Sequence, residues 1–348
     1  MSEHSSDSDV PSFRSGRGEK NGAGREPERS VPLAREYRKR RTVPFAARLG
    51  RNGGTSGGVV LPFILVTLIW SSTWIVIRDQ IGSVPASWSV CYRFLLAGIA
   101  MAAFAKWRGV PLNIGRSGLV YAALLGVAQF VLNFNFVYRA EHYLTSGLVA
   151  VVYAMLLIPN SILAWLIFRQ PVSHAFIGGS LVAVTGIILM LVHEYHAATV
   201  RPDMVLLGAA FSLAGLMSAS AANVMQGMDI ARRLPMLAVL AWAMLIGAAV
   251  DAAFAWATIG PPQFESRLGY ILGIGWLGIA GSVVTFPLYF TLIQRMGAGR
   301  AAYSSVLIPV IAMLISTLAE GYRWSALAIA GALLAIAGMA IALRSKAT

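Results

Sequence analysis

Polar side chains set inside long apolar runs are where this 348-residue sequence could do chemistry. In a lipid-like surrounding such groups are costly unless they face protein or a water-filled cavity. Gln129, Asn133 and Phe136 recur at i, i+4 and i+7, which places them on one face of a helix. The two amides both donate and accept hydrogen bonds, as recognition of a zwitterion requires; the competing role is hydrogen-bonded glue between helices. Trp70 and Trp74 lie one turn apart with Thr73 beside them. Trp70 is the deeper and suits an aromatic wall, whereas Trp74 is equally suited to anchoring at an interface. Tyr153 and Asn160 are seven residues apart, and Asn223, Thr285 with Tyr289, and Tyr303 with Ser304 complete the set of polar candidates for a cavity wall.

Two ionisable residues fall inside apolar runs, Arg93 and Asp251. An intramembrane charge is a functional residue by default. Arg93 can act in the path or serve as a buried scaffold partner for carbonyls or an acid at a helix end. Asp251 lies within two turns of a helix end and can reach the interface from there. Were transport coupled to protons, Asp251 and Glu320 would be the carboxylates at or inside the later helices. Pro159, Pro287 and Pro309 each remove a backbone donor from an apolar run, so each marks a kink or a hinge.

These residues need an apolar scaffold, and composition supplies one. Apolar residues make up 57% and charged residues 12% of the chain, against roughly 25% charged in an ordinary soluble domain. Residues 1–58 hold 12 of the 28 Lys and Arg, so the net charge of +13 is no nucleic-acid signature; the helices carry no basic stripe for a duplex. Cys91, the single cysteine, excludes a disulfide framework and a cysteine zinc cluster and reads as packing. No metal site or cofactor motif is present, and there is no Gly-x-x-x-x-Gly-Lys-[Ser/Thr] phosphate loop.

The first 58 residues read as a disordered basic tail with Arg38-Lys39-Arg40-Arg41 near its end, attracted to anionic lipid. Ten apolar runs follow, at 59–77, 86–105, 117–138, 144–168, 175–193, 205–226, 235–258, 268–293, 301–319 and 325–343. Each is long enough to cross a hydrocarbon core of ~30 Å. The connection 194–204 divides the bundle. Alternate loops are rich in cations (Lys106, Arg108, Arg116, Arg169, Arg232, Arg233), which puts both termini in the cytoplasm. The expectation is an all-α membrane protein of ten transmembrane helices.

The halves resemble each other. Gly179 aligns with Gly331 and Gly186 with Gly338, each pair 152 residues apart, and Thr145 aligns with Gly299 after a two-residue shift. Five helices per copy is an odd number, so the second copy must cross the membrane in the opposite sense. The units are 59–193 and 205–343, with 344–348 as a cytoplasmic end. Inverted repeats around a midplane cavity are a recurring transporter architecture.

Trp70-Ser71-Ser72-Thr73-Trp74, Tyr92-Arg93-Phe94-Leu95-Leu96-Ala97, and Ala319-Glu320-Gly321-Tyr322-Arg323-Trp324-Ser325 leading to Gly338 resemble the signatures of the EamA family of the drug/metabolite transporter superfamily. Phe168-Arg169-Gln170 and Ala298-Gly299-Arg300 depart from its pattern. The resemblance implies a ten-helix bundle in the inner membrane with a central cavity. It also implies export of amino acids or other small metabolites without ATP, with protons as a possible coupled ion. A membrane-embedded enzyme and a non-transporting accessory or receptor protein are the competing classes; against the enzyme, all five histidines lie in the tail or at helix ends.

Overall fold

In the computed structural model, residues 57–82, 84–169, 172–197, 202–296 and 304–345 are described; the basic tail and Tyr303 lie outside them. The described residues are helical and carry no strand. The main helices are α1 (Gly57–Gln80), α2 (Ala86–Trp107), α3 (Gly115–Tyr143), α4 (Ser146–Phe168) and α5 (His174–Ala197). They are followed by α6 (Pro202–Met225), α7 (Met236–Thr258), α8 (268–296), α9 (Ser304–Ala319) and α10 (Ala326–Ser345). A short helix, Asp229–Arg233, connects α6 to α7. Eight of these segments, α1 to α8, are long and apolar enough to cross a membrane; α9 and α10 are shorter apolar helices.

Small residues set the tightest crossing. α5 packs on α10, and a Cβ at Gly179 would meet the Gly338 carbonyl at 2.7 Å, while one at Gly331 would meet the Gly186 carbonyl at 2.6 Å. Gly179 therefore faces Gly338 and Gly186 faces Gly331, so the two helices run antiparallel. With no hydrophobic drive between helices in lipid, this close backbone approach supplies the packing that holds them. Other prominent pairs are α2 on α7, α3 on α6, α4 on α9 and α1 on both α8 and α9.

Several helices depart from the expected continuous α-form. α4 breaks after Ala154 and resumes at Leu157, with Leu156 N–H bonded to the Tyr153 carbonyl and Ile158 N–H to the Met155 carbonyl. Pro159 is the third residue of the resumed helix, where a missing N–H leaves no gap in the ladder. α3 carries a π-helical stretch at Val127–Leu132, and α8 one at Trp276–Val284. Such π-turns insert extra backbone per turn and re-aim the residues beyond them. Phe136 is thereby turned away from Gln129 and Asn133 and stacks on Phe211 of α6, with ring centroids 6.2 Å apart.

Three boundaries also move. α3 continues to Tyr143 because no Gly or Pro interrupts it, so Glu141 is helical rather than in a loop. α5 runs to Ala197 and α6 starts at Pro202, which shortens the connection expected at 194–204. Asp251 does not reach an interface: it is wholly buried in α7 against α3.

Candidate functional site

A cavity of about 370 Å³ lies where α1, α3, α4, α6, α8 and α9 converge, with Arg93 of α2 on its wall. α1 gives it Trp70, Thr73 and Trp74, and α3 gives Gln129, Asn133 and Phe134. Tyr153 and Asn160 come from the two pieces of α4, so the break at 155–156 presents both to the same space. Asn223 and Gln226 come from the end of α6 and its following turn, Phe286 and Tyr289 from α8, and Ser304 and Pro309 from α9.

The aromatic wall is fixed by hydrogen bonds. The Trp70 indole donates to the Gly281 carbonyl at 3.2 Å and packs against Tyr289 and Phe286, with centroids 5.1 and 6.0 Å away. Trp74 lies against Tyr153 at 5.3 Å, more than a turn inside α1, and lines the cavity beside Trp70. The Tyr153 hydroxyl donates to Asn133 Oδ1 at 2.8 Å, and Asn133 Nδ2 donates to the Gln129 carbonyl at 3.3 Å. Asn133 is 3% exposed and each end of its amide makes one hydrogen bond, which ties it to Tyr153 and to its own helix. Gln129 Oε1 and Asn160 Oδ1 are buried acceptors with no hydrogen-bond partner.

Thr285 does not line the cavity; its hydroxyl donates back to the Gly281 carbonyl at 2.6 Å, as buried threonines in helices commonly do. Pro159 and Pro287 also stand off the cavity, whereas Pro309 lines it. Asp251 belongs to a separate network: Ser87 donates to Asn135 Oδ1 at 2.6 Å and Asn135 Nδ2 donates to Asp251 Oδ1 at 2.7 Å. Among the described residues no cluster of His, Cys, Asp or Glu could hold a metal ion.

Reasoning from spacing missed Glu141. It is fully buried, and neither carboxyl oxygen has a hydrogen-bond partner. The pattern Asn133, Val137, Glu141 at successive fours, with no breaker before Ser146, was the signal for it. Around Glu141 the end of the bundle nearest the 144–145 turn is tied together. Arg78 donates to the Glu141 carbonyl and pairs with Glu320 at 3.4 Å. Glu320 in turn accepts the Ser146 hydroxyl at 2.5 Å and its N–H at 3.1 Å, which caps the start of α4. Nearby, Arg267 donates to Asp79 and Glu265, and those two acids hold its guanidinium above its ordinary pKa range. The cavity wall runs the other way, toward Asn160, Gln226, Tyr289 and Ser304 at the opposite helix ends.

An apolar helical bundle with an aromatic and amide-lined cavity between its helices is a membrane protein built to hold a small molecule. The sequence comparisons give the class: the EamA-like transporter family matches the chain twice, over residues 58–192 and 206–344, and the chain belongs to that family. It is similar to "Protein PagO" of Salmonella typhimurium, 23% identical over 76% of this chain and 85% of that protein. It is 28% identical to "Uncharacterized inner membrane transporter YedA" of Escherichia coli K12, over 72% and 79% of the two chains. A "Probable amino-acid metabolite efflux pump" of the same organism is 22% identical over 80% of this chain and 92% of its own. A solved structure described only as the crystal structure of a protein superposes with a TM-score of 0.60 at 19% identity, over 81% of this chain and 95% of the other, which supports the fold.

Proposed function

We propose that the chain is a secondary transporter, working as an exporter of small amphipathic or zwitterionic metabolites such as amino acids and their relatives. The observation that carries this reading is the cavity itself: rings and amide groups drawn from both family-matched segments face one space. The efflux description of one relative agrees with the direction.

Its mechanism is alternating access by two inverted five-helix repeats, 59–193 and 205–343, with ten helices crossing the inner membrane and both termini cytoplasmic. The exchange of partners at the α5–α10 crossing supports the inversion. Gly179 corresponds to Gly331 and Gly338 to Gly186, so the contact Gly179–Gly338 is converted by a two-fold rotation into Gly331–Gly186. The π-helical stretches fall in α3 and α8, the third helix of each copy, which fits the same relation. With the tied ends of α1, α3, α4 and α9 outside, the cavity faces the cytoplasm, ready to load for export. Opening outward then requires the Arg78, Glu141, Glu320 and Ser146 cluster to part, with the break in α4 and Pro287 and Pro309 as hinges. Coupling to protons would fall to Glu141 before Asp251 or Glu320, because neither Glu141 oxygen has a hydrogen-bond partner, whereas Asp251 Oδ1 and Glu320 already accept hydrogen bonds from neighbours.

Reconstitution into liposomes with a panel of radiolabelled amino acids and amphipathic cations tests the proposal. Saturable flux of at least one panel member is expected, reduced in Trp70→Ala protein of unchanged fold. Intact protein that moves none of them would count against transport of this class.

A further inference from the structure

The geometry points to Arg93 as the anion-binding residue of the cavity, and to a cargo that presents a carboxylate to it on an apolar or aromatic body. This narrows the transporter reading and rests on it in taking the cavity as the cargo site.

Arg93 is 3% exposed, yet it lies on the cavity wall with Nε and Nη1 lacking any hydrogen-bond partner. A buried guanidinium with idle donors is expensive, and a buried charge normally has a partner. Its neighbours engage it only in part. The ring faces of Phe134 and Phe94 lie 4.3 and 5.0 Å from its central carbon, which steadies a cation without using its N–H groups. The Tyr138 hydroxyl gives its proton to Gln80 Oε1 at 2.7 Å and its oxygen takes one hydrogen bond from the guanidinium, which leaves Nε and Nη1 idle. Glu141 lies further off and makes no hydrogen bond to it, its carboxyl oxygens being without partners.

Arg93 and Gly281 border the cavity side by side. Gly281 sits in the π-helical stretch of α8, and a Cβ there would lie 3.8 Å from Arg93 Nη2. Arg93 is also the one charged side chain among the described lining residues. The cavity therefore attracts a carboxylate, which the planar fork of arginine matches in shape, and repels a cation that lacks one. Trp70, Trp74, Tyr153, Phe286 and Tyr289 offer rings for the apolar body. The idle acceptors Gln129 Oε1 and Asn160 Oδ1 can take an ammonium on the same molecule, so zwitterions fit and simple amphipathic amines do not.

The test uses the full purified chain and three probes that share one body: 4-phenylbutyrate, 4-phenylbutanol and 4-phenylbutylamine. The carboxylate is expected to raise the thermal unfolding temperature in a saturable way, with no comparable effect of the alcohol or the amine. Arg93→Gln is expected to weaken carboxylate binding by about 10- to 100-fold, the range for loss of a charge-assisted pair. Arg93→Lys, which keeps the charge and loses the fork, gives an intermediate affinity and serves where the Gln variant fails to fold. Equal shifts from the amine or the alcohol, an unchanged response in Arg93→Gln, or no shift from any of the three would overturn the assignment. Flux confined to amines would remove Arg93 and leave transport standing; carboxylate binding without any flux would do the reverse.

Discussion

Two adjacent glycines in α5 should respond to the same substitution with opposite signs. Gly179 is buried against α10, where an added Cβ would sit 2.6 Å from the Ala342 nitrogen and 2.7 Å from the Gly338 carbonyl oxygen. Both are backbone atoms, so relief requires the helices to separate by about 0.8 Å to restore ordinary contact near 3.4 Å. Overpacking of this kind costs about 1–3 kcal/mol. Against it stands the helix propensity gained from Gly to Ala, up to about 1 kcal/mol. Gly179→Ala is therefore expected to destabilise by about 1–2 kcal/mol. Gly178 has nothing within 4 Å of its added Cβ, so Gly178→Ala keeps only the propensity gain and stabilises by about 0.5–1 kcal/mol. Reversible unfolding in mixed micelles, with a denaturing detergent as the variable, measures both. The separation between the variants should be close to 2 kcal/mol. If Gly179→Ala equals or exceeds Gly178→Ala in stability, α5 and α10 do not meet through these glycines, and the two-fold relation loses its main support.

Three further outcomes follow from other parts of the bundle. Asn135→Ala strips a hydrogen bond from the buried Asp251 carboxyl and should destabilise by about 1.5–3 kcal/mol; in an Asp251→Asn background the loss should be visibly smaller, as a double-mutant cycle of unfolding free energies reads directly. Glu320→Ala removes the acceptor that joins Arg78 to Ser146, so a Val137→Cys reporter should react roughly tenfold faster with an impermeant thiol reagent applied outside; an unchanged rate rejects the cluster as a closure, and buried Cys91 gives a quiet background. Tyr153→Phe frees Asn133 Oδ1 and loosens the ring facing Trp74, so flux should fall while yield and unfolding change by about 1 kcal/mol or less; full flux would exclude the Tyr153–Asn133 pair from cargo positioning.

Much of this protein was legible because lipid imposes a simple rule: backbone groups must be satisfied within each segment, so apolar runs become helices. The ends of α2 and α7 were readable from the sequence for that reason, and the repeated glycines at 179, 186, 331 and 338 announced a related pair of helices. Polar residues in such runs also advertise themselves, and Trp70, Thr73, Gln129, Asn133, Tyr153, Asn160, Asn223, Tyr289 and Ser304 all border the same cavity. What spacing misjudged lay where the helix departs from 3.6 residues per turn. The π-turn at Val127–Leu132 sends Phe136 to α6, and Thr285 follows a similar stretch and bonds inward instead.

By itself, then, the sequence determined the solvent, the helical segments and the identity of most groups that can face a cavity, since each follows from local hydropathy and composition. Only the tertiary structure decided which of those groups are already engaged and which are idle. Asn133 reads from sequence as a cavity amide and Asp251 as an acid near an interface, and both are hydrogen-bonded in the interior; Arg93 reads as scaffold and keeps unused donors; Glu141 reads as a loop acid and is buried. The physical reason is that the hydrogen bond between α3 and α7 joins residues 116 apart, and the groups around Arg93 come from another helix, α3, so no local spacing records either.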